Sequence, residues 1–301
     1  MTSNKDLIEK IMKLKKEKNA VILVHNYITS DIYEIADYIG DSLDLSRKSA
    51  NTDADIIVFC GVDFMAECAK ILSPGKIVLH PRKEATCPMA AMAEVSDLRE
   101  KKRKYPDASV VCYINTSTSV KAESDICCTS ANAVDVVNSV KEKEVLFVPD
   151  RNLGHYAKTV SGKNVRLWNG YCYVHDVITV EDIKKAKGSH PDAHVMVHPE
   201  CRADVIARAD AVCSTGQMID YAKTSGASEF IVATEEGMCA RLKREFPGKK
   251  FYPVGGICTQ MKEIRLYDVY MALKMNQFEI TLDESVRKRA KKTLDRMLEL
   301  G

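Results

Sequence analysis

The chain has 301 residues, of which 46% are hydrophobic and 29% are charged, as is ordinary for a globular protein. Its formal net charge of +2 gives no electrostatic case for nucleic acid or an anionic membrane as a partner, so we expect neither. The longest apolar runs have the length of a strand, far below the roughly 20 residues that a membrane-spanning helix needs.

Strand and helix patterns alternate along the chain. At its N-terminus we expect a charged amphipathic helix rather than a signal sequence. Each of three units then has the pattern of a strand, a helix, a strand, a helix and a short strand that leads to a cysteine. The strands are short apolar runs, typical of parallel strands buried on both faces. Helical spacing of apolar residues covers residues 31–39, 131–140 and 236–246 among others.

Strand–helix alternation implies βαβ units with right-handed crossovers. We therefore predict an α/β fold of three αβα sandwich units with parallel sheets, related by a pseudo-threefold axis around a central cluster site. The predicted units are residues 1–86, 87–171 and 172–280. We expect the C-terminal helix, 281–301, to pack back onto the first unit together with the N-terminal helix.

Four landmarks recur in register and support this repeat. They are a polar strand end, a hydroxyl residue seventeen positions later, an acid at the end of the second strand, and a cysteine 22–24 residues after that acid. In the three units in turn, the landmarks are His25, Ser42, Asp63 and Cys87; Tyr113, Ser130, Asp150 and Cys172; and His198, Thr215, Glu235 and Cys258.

Three of the eleven cysteines therefore recur, at intervals of 85 and 86 residues, and no fourth ligand recurs with them. No cysteine pair has CxxC spacing, so we expect reduced thiols and a cytoplasmic location. Three thiolates leave an open coordination position, which is typical of a catalytic metal. A [4Fe–4S] cluster with one free iron and a zinc with three thiolates and a water both fit this pattern.

The remaining landmarks predict an acidic substrate. Ser42, Ser130 and Thr215 each open a segment with helical character, as N-caps or as groups that bring three helix N-termini to an anion. Glu200 follows the third strand and could act as a general base, with a pKa raised by a site of low dielectric constant. The other candidate donors are His25, Tyr27, Tyr113, Asn115 and His175.

As a set, the motifs resemble those of the quinolinate synthase family from about residue 20 to residue 262. They read HNY, GDSLDLSRKSA, GVDFMAE, ATCPMA, YINTS, CTSANAV, PDRNLG, VHPEC, STGQM and ATEEGM. The resemblance implies three αβα domains around an oxygen-sensitive [4Fe–4S] cluster. It also implies a transferase of NAD biosynthesis that condenses iminosuccinate with dihydroxyacetone phosphate to quinolinate, phosphate and water. An aspartate-oxidising enzyme that supplies iminosuccinate is a further candidate partner.

By this resemblance Cys87, Cys172 and Cys258 would hold the cluster, and its fourth iron would act as a Lewis acid. Proton transfer would fall to Glu200, Tyr27 and His175. Contacts to substrate would come from His25, Ser42, Tyr113, Asn115, Ser130, His198, Glu200 and Thr215.

Two features depart from the family's pattern. Tyr173 follows Cys172 where relatives often have proline, which predicts a changed loop conformation with ligation retained. Cysteines that some members carry after the third ligand are absent here, so the redox-switching disulfide proposed for them is not expected.

Two other functions remain open on the residues alone. A zinc-dependent lyase or hydrolase of a small dicarboxylate could use the same three thiolates with Glu200 as base. A non-catalytic iron–sulfur sensor or carrier could use the three units as a scaffold, although it would need few of the polar groups at the strand ends.

Overall fold

The computed structural model describes residues 3–300 and confirms an α/β fold of three αβα units. Each unit has a four-stranded sheet whose paired strands are all parallel. The order is the same in all three sheets: the unit's first strand lies between its second and third, and the fourth flanks the third. This shared order is the structural counterpart of the repeat in the sequence.

The first unit is built on two central strands with buried side chains. Its strands are β1 (Ala20–His25), β2 (Tyr38–Gly40), β3 (Ile56–Cys60) and β4 (Ile77–Leu79). Its helices are α1 (Asn4–Glu17), α2 (Ser42–Ala50) and α3 (Asp63–Leu72), with a 3-10 turn at Ile32–Ile35. A capping box between Ser3 and Asp6 starts α1, which buries Leu7 and Ile11.

The second unit repeats this plan. Its strands are β5 (Ala108–Tyr113), β6 (Ile126–Cys128), β7 (Glu144–Val148) and β8 (Asn164–Leu167). Its helices are α4 (Val95–Lys104), α5 (Thr118–Glu123), α6 (Ala133–Ser139) and α7 (Arg151–Ser161), with a 3-10 turn at Ala90–Met92. Asp150 caps α7, which ends at Gly162 in the left-handed conformation (φ 69°) that glycine adopts without strain.

The third unit has the shortest edge strand and its own small core around Val195 and Ile231. Its strands are β9 (His194–Val197), β10 (Ala211–Val212), β11 (Glu229–Ala233) and β12 (Lys250–Pro253). Its helices are α8 (Tyr173–Asp176), α9 (Val180–Ser189), α10 (Ala203–Ile206), α11 (Thr215–Thr224), α12 (Gly237–Glu245) and α13 (Thr259–Lys262).

Each sheet has one strand more than the sequence pattern predicts. The additional strands β2, β6 and β10 have only two or three residues, too few to show a periodicity. The helix predicted over 31–39 is wrong for this reason, because the segment forms a 3-10 turn and then β2. The helices predicted over 131–140 and 236–246 are confirmed as α6 and α12.

The last two helices, α14 (Leu266–Met275) and α15 (Glu284–Glu299), connect units. Helix α14 packs against α1 and β3 of the first unit. Helix α15, expected to pack back onto the first unit, lies against α5 and β6 of the second unit as well as α3 of the first. It therefore joins two units, and the predicted boundaries between units stay a prediction.

None of the helices in residues 3–300 combines the length and apolarity needed to cross a bilayer.

Candidate active site

A single cavity of about 70 Å³ joins the three units at the carboxyl ends of their central strands, where open parallel sheets bind ligands. All thirteen residues predicted for the site line it. The first unit contributes His25, Tyr27 and Ser42; the second contributes Tyr113, Asn115 and Ser130; the third contributes His175, His198, Glu200, Thr215 and Cys258; Cys87 and Cys172 lie at the two borders between units. Their individual roles stay predictions.

The three recurrent cysteines differ from the other eight in exposure. Cys87, Cys172 and Cys258 are half-buried at the cavity, whereas the rest are buried. Each of the three precedes a short helical turn. The thiol of each faces the backbone N–H three residues later, which belongs to Ala90, His175 and Met261 respectively. Burial raises the pKa of all three thiols, and these N–H groups oppose that rise. A bound metal cation would hold them as thiolates.

The thiols are not clustered as tightly as ligands of one metal ion. Within residues 3–300, the single set of three metal-binding side chains with ligand atoms within 4.8 Å of one another is Cys172, His175 and Glu200. The set of Cys87, Cys172 and Cys258 is therefore more widely spaced, with at least one pair of sulfur atoms beyond that distance.

A chain of polar contacts runs from Glu200 to Tyr27. The Oε2 atom of Glu200 lies 2.7 Å from Nδ1 of His175, which is also 3.2 Å from the Cys172 sulfur. The other ring nitrogen of His175, Nε2, lies 2.8 Å from the hydroxyl of Thr234. That hydroxyl lies 2.7 Å from the Tyr27 phenol. All four side chains other than the cysteine are buried, so this chain of contacts is shielded from bulk water.

The electrostatics of Glu200 reverse the expectation from sequence. Burial alone would raise its pKa, but the charge and hydrogen bond of His175 outweigh that effect and lower the pKa to about 2. The hydrogen bond from the Tyr113 hydroxyl acts in the same direction. The predicted rise in the pKa of Glu200 is therefore wrong, because the sequence does not show that His175 lies beside it.

His25 and His198 are held by the same local contact in two different units. Nδ1 of each ring accepts a hydrogen bond from the backbone N–H two residues later, at Tyr27 (3.2 Å) and Glu200 (3.3 Å). Burial lowers the pKa of each imidazole to about 3, so both rings are neutral. With Nδ1 accepting, the proton of each ring is on Nε2, where it is available as a donor.

The two tyrosines of the site keep their protons. Burial, followed by the nearby charge of Glu200, raises the pKa of Tyr27 and of Tyr113 well above the usual value. Close to Tyr113, the Oδ1 atom of Asn115 is buried without a hydrogen-bond partner and belongs to a side chain that lines the cavity. An unsatisfied amide oxygen at this position is suited to accept a hydrogen bond from a ligand.

The hydroxyl residues are not the N-caps of their helices. The caps are instead Asp41 for α2, Asn132 for α6 and Ser214 for α11. The prediction that Ser42, Ser130 and Thr215 are N-caps is therefore wrong, and their side chains line the cavity at or near the starts of these helices.

Two residues that the sequence did not single out complete the site. Thr234 links His175 to Tyr27, and Lys262 pairs with Glu235 (3.0 Å) while donating to the carbonyl of Tyr27 (2.7 Å). Thr234 directly precedes the acid landmark, at a position where the other units have Val62 and Pro149. Because Thr234 is the one polar residue among these three equivalent positions, comparing the units could have identified it from the sequence.

Tyr173, the residue after Cys172, connects two cysteine loops. Its phenol oxygen accepts a hydrogen bond from the N–H of Thr259 (3.1 Å) and donates one to Oε1 of Gln260 (2.8 Å). The residue beside Cys172 is thereby fixed to the turn that follows Cys258.

Comparisons with known proteins agree on one family. The family described as Quinolinate synthetase A protein matches residues 9–299. Quinolinate synthase 2 of Methanosarcina acetivorans is 50% identical, with 98% of this chain and 96% of that protein covered. Quinolinate synthase of Alkaliphilus metalliredigens is 52% identical with 98% of each covered, and that of Geobacter sp. strain M21 is 53% identical with 96% and 95% covered. The chain therefore belongs to the quinolinate synthase family.

Proposed function

We propose that this chain condenses iminosuccinate with dihydroxyacetone phosphate to quinolinate, phosphate and water, as a transferase of NAD biosynthesis. The observation that carries the proposal is the single buried cavity in which three thiols, one from each unit or its border, face the Glu200–His175 pair. We infer the reaction from membership of the family, and the side chains that line the cavity are suited to that reaction.

The resident cofactor we propose is a [4Fe–4S] cluster held by Cys87, Cys172 and Cys258. A zinc ion bound by three thiolates at about 2.3 Å would bring the sulfur atoms to about 3.8 Å from one another in tetrahedral geometry. The wider spacing of this set favours a cluster, because each thiolate then binds a different iron. When bound, its remaining iron would supply a Lewis acid for substrate oxygen atoms.

Neutral hydrogen-bond donors in the rest of the cavity could bind an anionic substrate. Neither lysine nor arginine lines it in the described part of the chain. The hydroxyls of Ser42 and Thr215 and the Nε2–H groups of His25 and His198 would bind carboxylate or phosphate oxygens. Helices α2 and α11 begin at those hydroxyls, so their N-terminal dipoles favour the same charge.

Proton transfer would use Glu200 and His175 as a unit. With a pKa lowered to about 2, Glu200 alone is a weak base at neutral pH. Its contact with Nδ1 of His175 lets the imidazole carry the proton while the carboxylate stabilises the charge. Thr234 then connects that imidazole to the Tyr27 phenol, which we propose as the donor at the far end.

The test begins with iron and acid-labile sulfide in protein purified without oxygen, where we expect about four of each per chain. The second step is quinolinate formation from dihydroxyacetone phosphate and iminosuccinate generated in the assay. One zinc and no sulfide would favour the zinc-dependent lyase or hydrolase. An intact cluster without quinolinate formation would favour an iron–sulfur carrier.

Eleven unpaired cysteines within residues 3–300 fit a reducing compartment, and we propose the cytoplasm. Because iminosuccinate is the oxidised form of aspartate, we further propose that an aspartate-oxidising enzyme supplies it.

A further inference from the structure

The acid at the end of the third strand contacts the cysteine loop in every unit. The Cys87 N–H donates to Oδ1 of Asp63 at 3.2 Å, and the Cys258 N–H donates to Oε1 of Glu235 at 3.2 Å. In the second unit the Asp150 carboxyl lies beside the backbone of Cys172, but its Oδ2 atom has no hydrogen-bond partner. These contacts explain why an acid recurs 22–24 residues before each cysteine.

A second hydrogen bond closes each contact. The carbonyl oxygen two residues before each cysteine accepts from a backbone N–H at, or just after, the acid. The three bonds are Asp63 N–H to Ala85 (2.9 Å), Arg151 N–H to Gly170 (2.8 Å) and Glu236 N–H to Gly256 (3.3 Å). Together the two bonds hold the cysteine loop against the end of the third strand, and we call this pair of bonds the clasp.

The clasp fixes the orientation of the backbone N–H of the cysteine. Because the carboxylate takes the N–H of the cysteine itself, the sulfur accepts from the N–H three residues later and faces the cavity. Asp150 and Glu235 are completely buried and Asp63 is half-buried, so water cannot easily replace them as acceptors. The sulfur position in the first and third units therefore depends on one acid.

We propose that Asp63, Asp150 and Glu235 are positioning residues that fix the three metal-binding cysteines, through the full clasp in the first and third units and through its backbone bond in the second. This inference rests on the proposed metal centre. None of the three acids needs to touch substrate for it, because the contact that positions each cysteine is made to the backbone.

The same chemistry at the opposite end of the sheets provides a control. Asp210 accepts the N–H of Val195 at 2.8 Å, and Asp37 and Asp125 make the equivalent bonds in the other units. These carboxylates also hold a backbone N–H, but they lie away from the residues that line the cavity. Removing one should weaken the fold without altering a thiolate.

The experiment compares Asp63→Ala, Asp63→Asn and Asp210→Ala with the wild-type holoenzyme. We measure the rate of iron loss to a chelator and the electron paramagnetic resonance spectrum of the reduced protein. Loss of a charge-assisted acceptor should make Asp63→Ala release iron at least about tenfold faster and change its spectrum. Asp63→Asn keeps an acceptor oxygen, so its rate of iron loss and its spectrum should be close to those of the wild type. Asp210→Ala should also resemble the wild type in both measurements.

Equal rates and spectra for Asp63→Ala and the wild type would overturn the proposal, as would an equal effect of Asp210→Ala. Urea unfolding of the metal-free proteins shows whether each variant folds. If Asp63→Ala does not, Glu235→Ala and Glu235→Gln carry the same comparison in the third unit. Wild-type protein that holds no iron would refute the metal centre instead, so the two failures are distinguishable.

Discussion

Replacing Thr234 by valine tests the chain of contacts between His175 and Tyr27. Valine matches threonine in shape, so the change removes one hydroxyl without leaving a void. That hydroxyl lies 2.8 Å from Nε2 of His175 and 2.7 Å from the Tyr27 phenol, and Thr234 is completely buried. Two buried polar atoms would therefore lose a partner at once.

The expected effect follows from these two contacts. Each buried group left without a partner costs about 1–3 kcal/mol. The Tyr27 phenol lies 3.5 Å from the His175 ring and can recover part of the loss by moving closer. We therefore expect Thr234→Val to lower the free energy of unfolding by about 2 kcal/mol. An equal loss in the transition state would slow quinolinate formation by about 30-fold.

The measurement is urea unfolding of the metal-free protein followed by circular dichroism, together with turnover of the iron-loaded protein. Thr234→Ser keeps the hydroxyl and is the matched control, so its turnover should stay near that of the wild type. If Thr234→Val turned over as fast as the wild type and unfolded within about 0.5 kcal/mol of it, the hydroxyl would have no part in proton transfer.

Three further predictions concern other groups of the site. Glu200→Gln should keep iron and fold but form no quinolinate, and measurable turnover would remove Glu200 from the mechanism. Cys258→Ser should lose iron and activity together, and a full complement of iron in this variant would contradict the ligand assignment. Burial lowers the pKa of His25 from its usual 6.5 to about 3, so its contribution to stability is present above pH 6.5 and is lost as the pH falls toward 3. His25→Gln should therefore reduce the dependence of the unfolding free energy on pH by up to about 1.4 kcal/mol per pH unit, and parallel curves for the metal-free proteins would refute this.

The repeat was predictable from sequence because its landmarks sit at the ends of buried strands. Apolar runs such as AVILV predict the strand that ends at His25, and the acid after the next run predicts where β3 ends. The carboxyl ends of parallel strands share one edge, so residues after these strands were expected to converge. The cavity indeed brings them together.

Contacts between residues distant in sequence, and exact helix boundaries, were not predictable in this way. The direction of the pKa shift of Glu200 depends on His175, which is 25 residues away in sequence and 2.7 Å away in space. A shift of one residue in the start of α2 decides whether Ser42 or Asp41 is its N-cap, and both residue types are good N-caps. The packing of α15 against the second unit likewise depends on a face that many surfaces could cover.

The covalent linkage of three similar units allows each strand end to carry a different residue. In a homotrimer of one such unit, every substitution would enter the central cavity three times. Three copies of Glu200 within a cavity of about 70 Å³ would repel one another and could not all stay ionised. A single chain instead places one copy of Glu200 in a cavity that also holds the neutral His25 and Tyr113, so an asymmetric reaction can take place between three related folds.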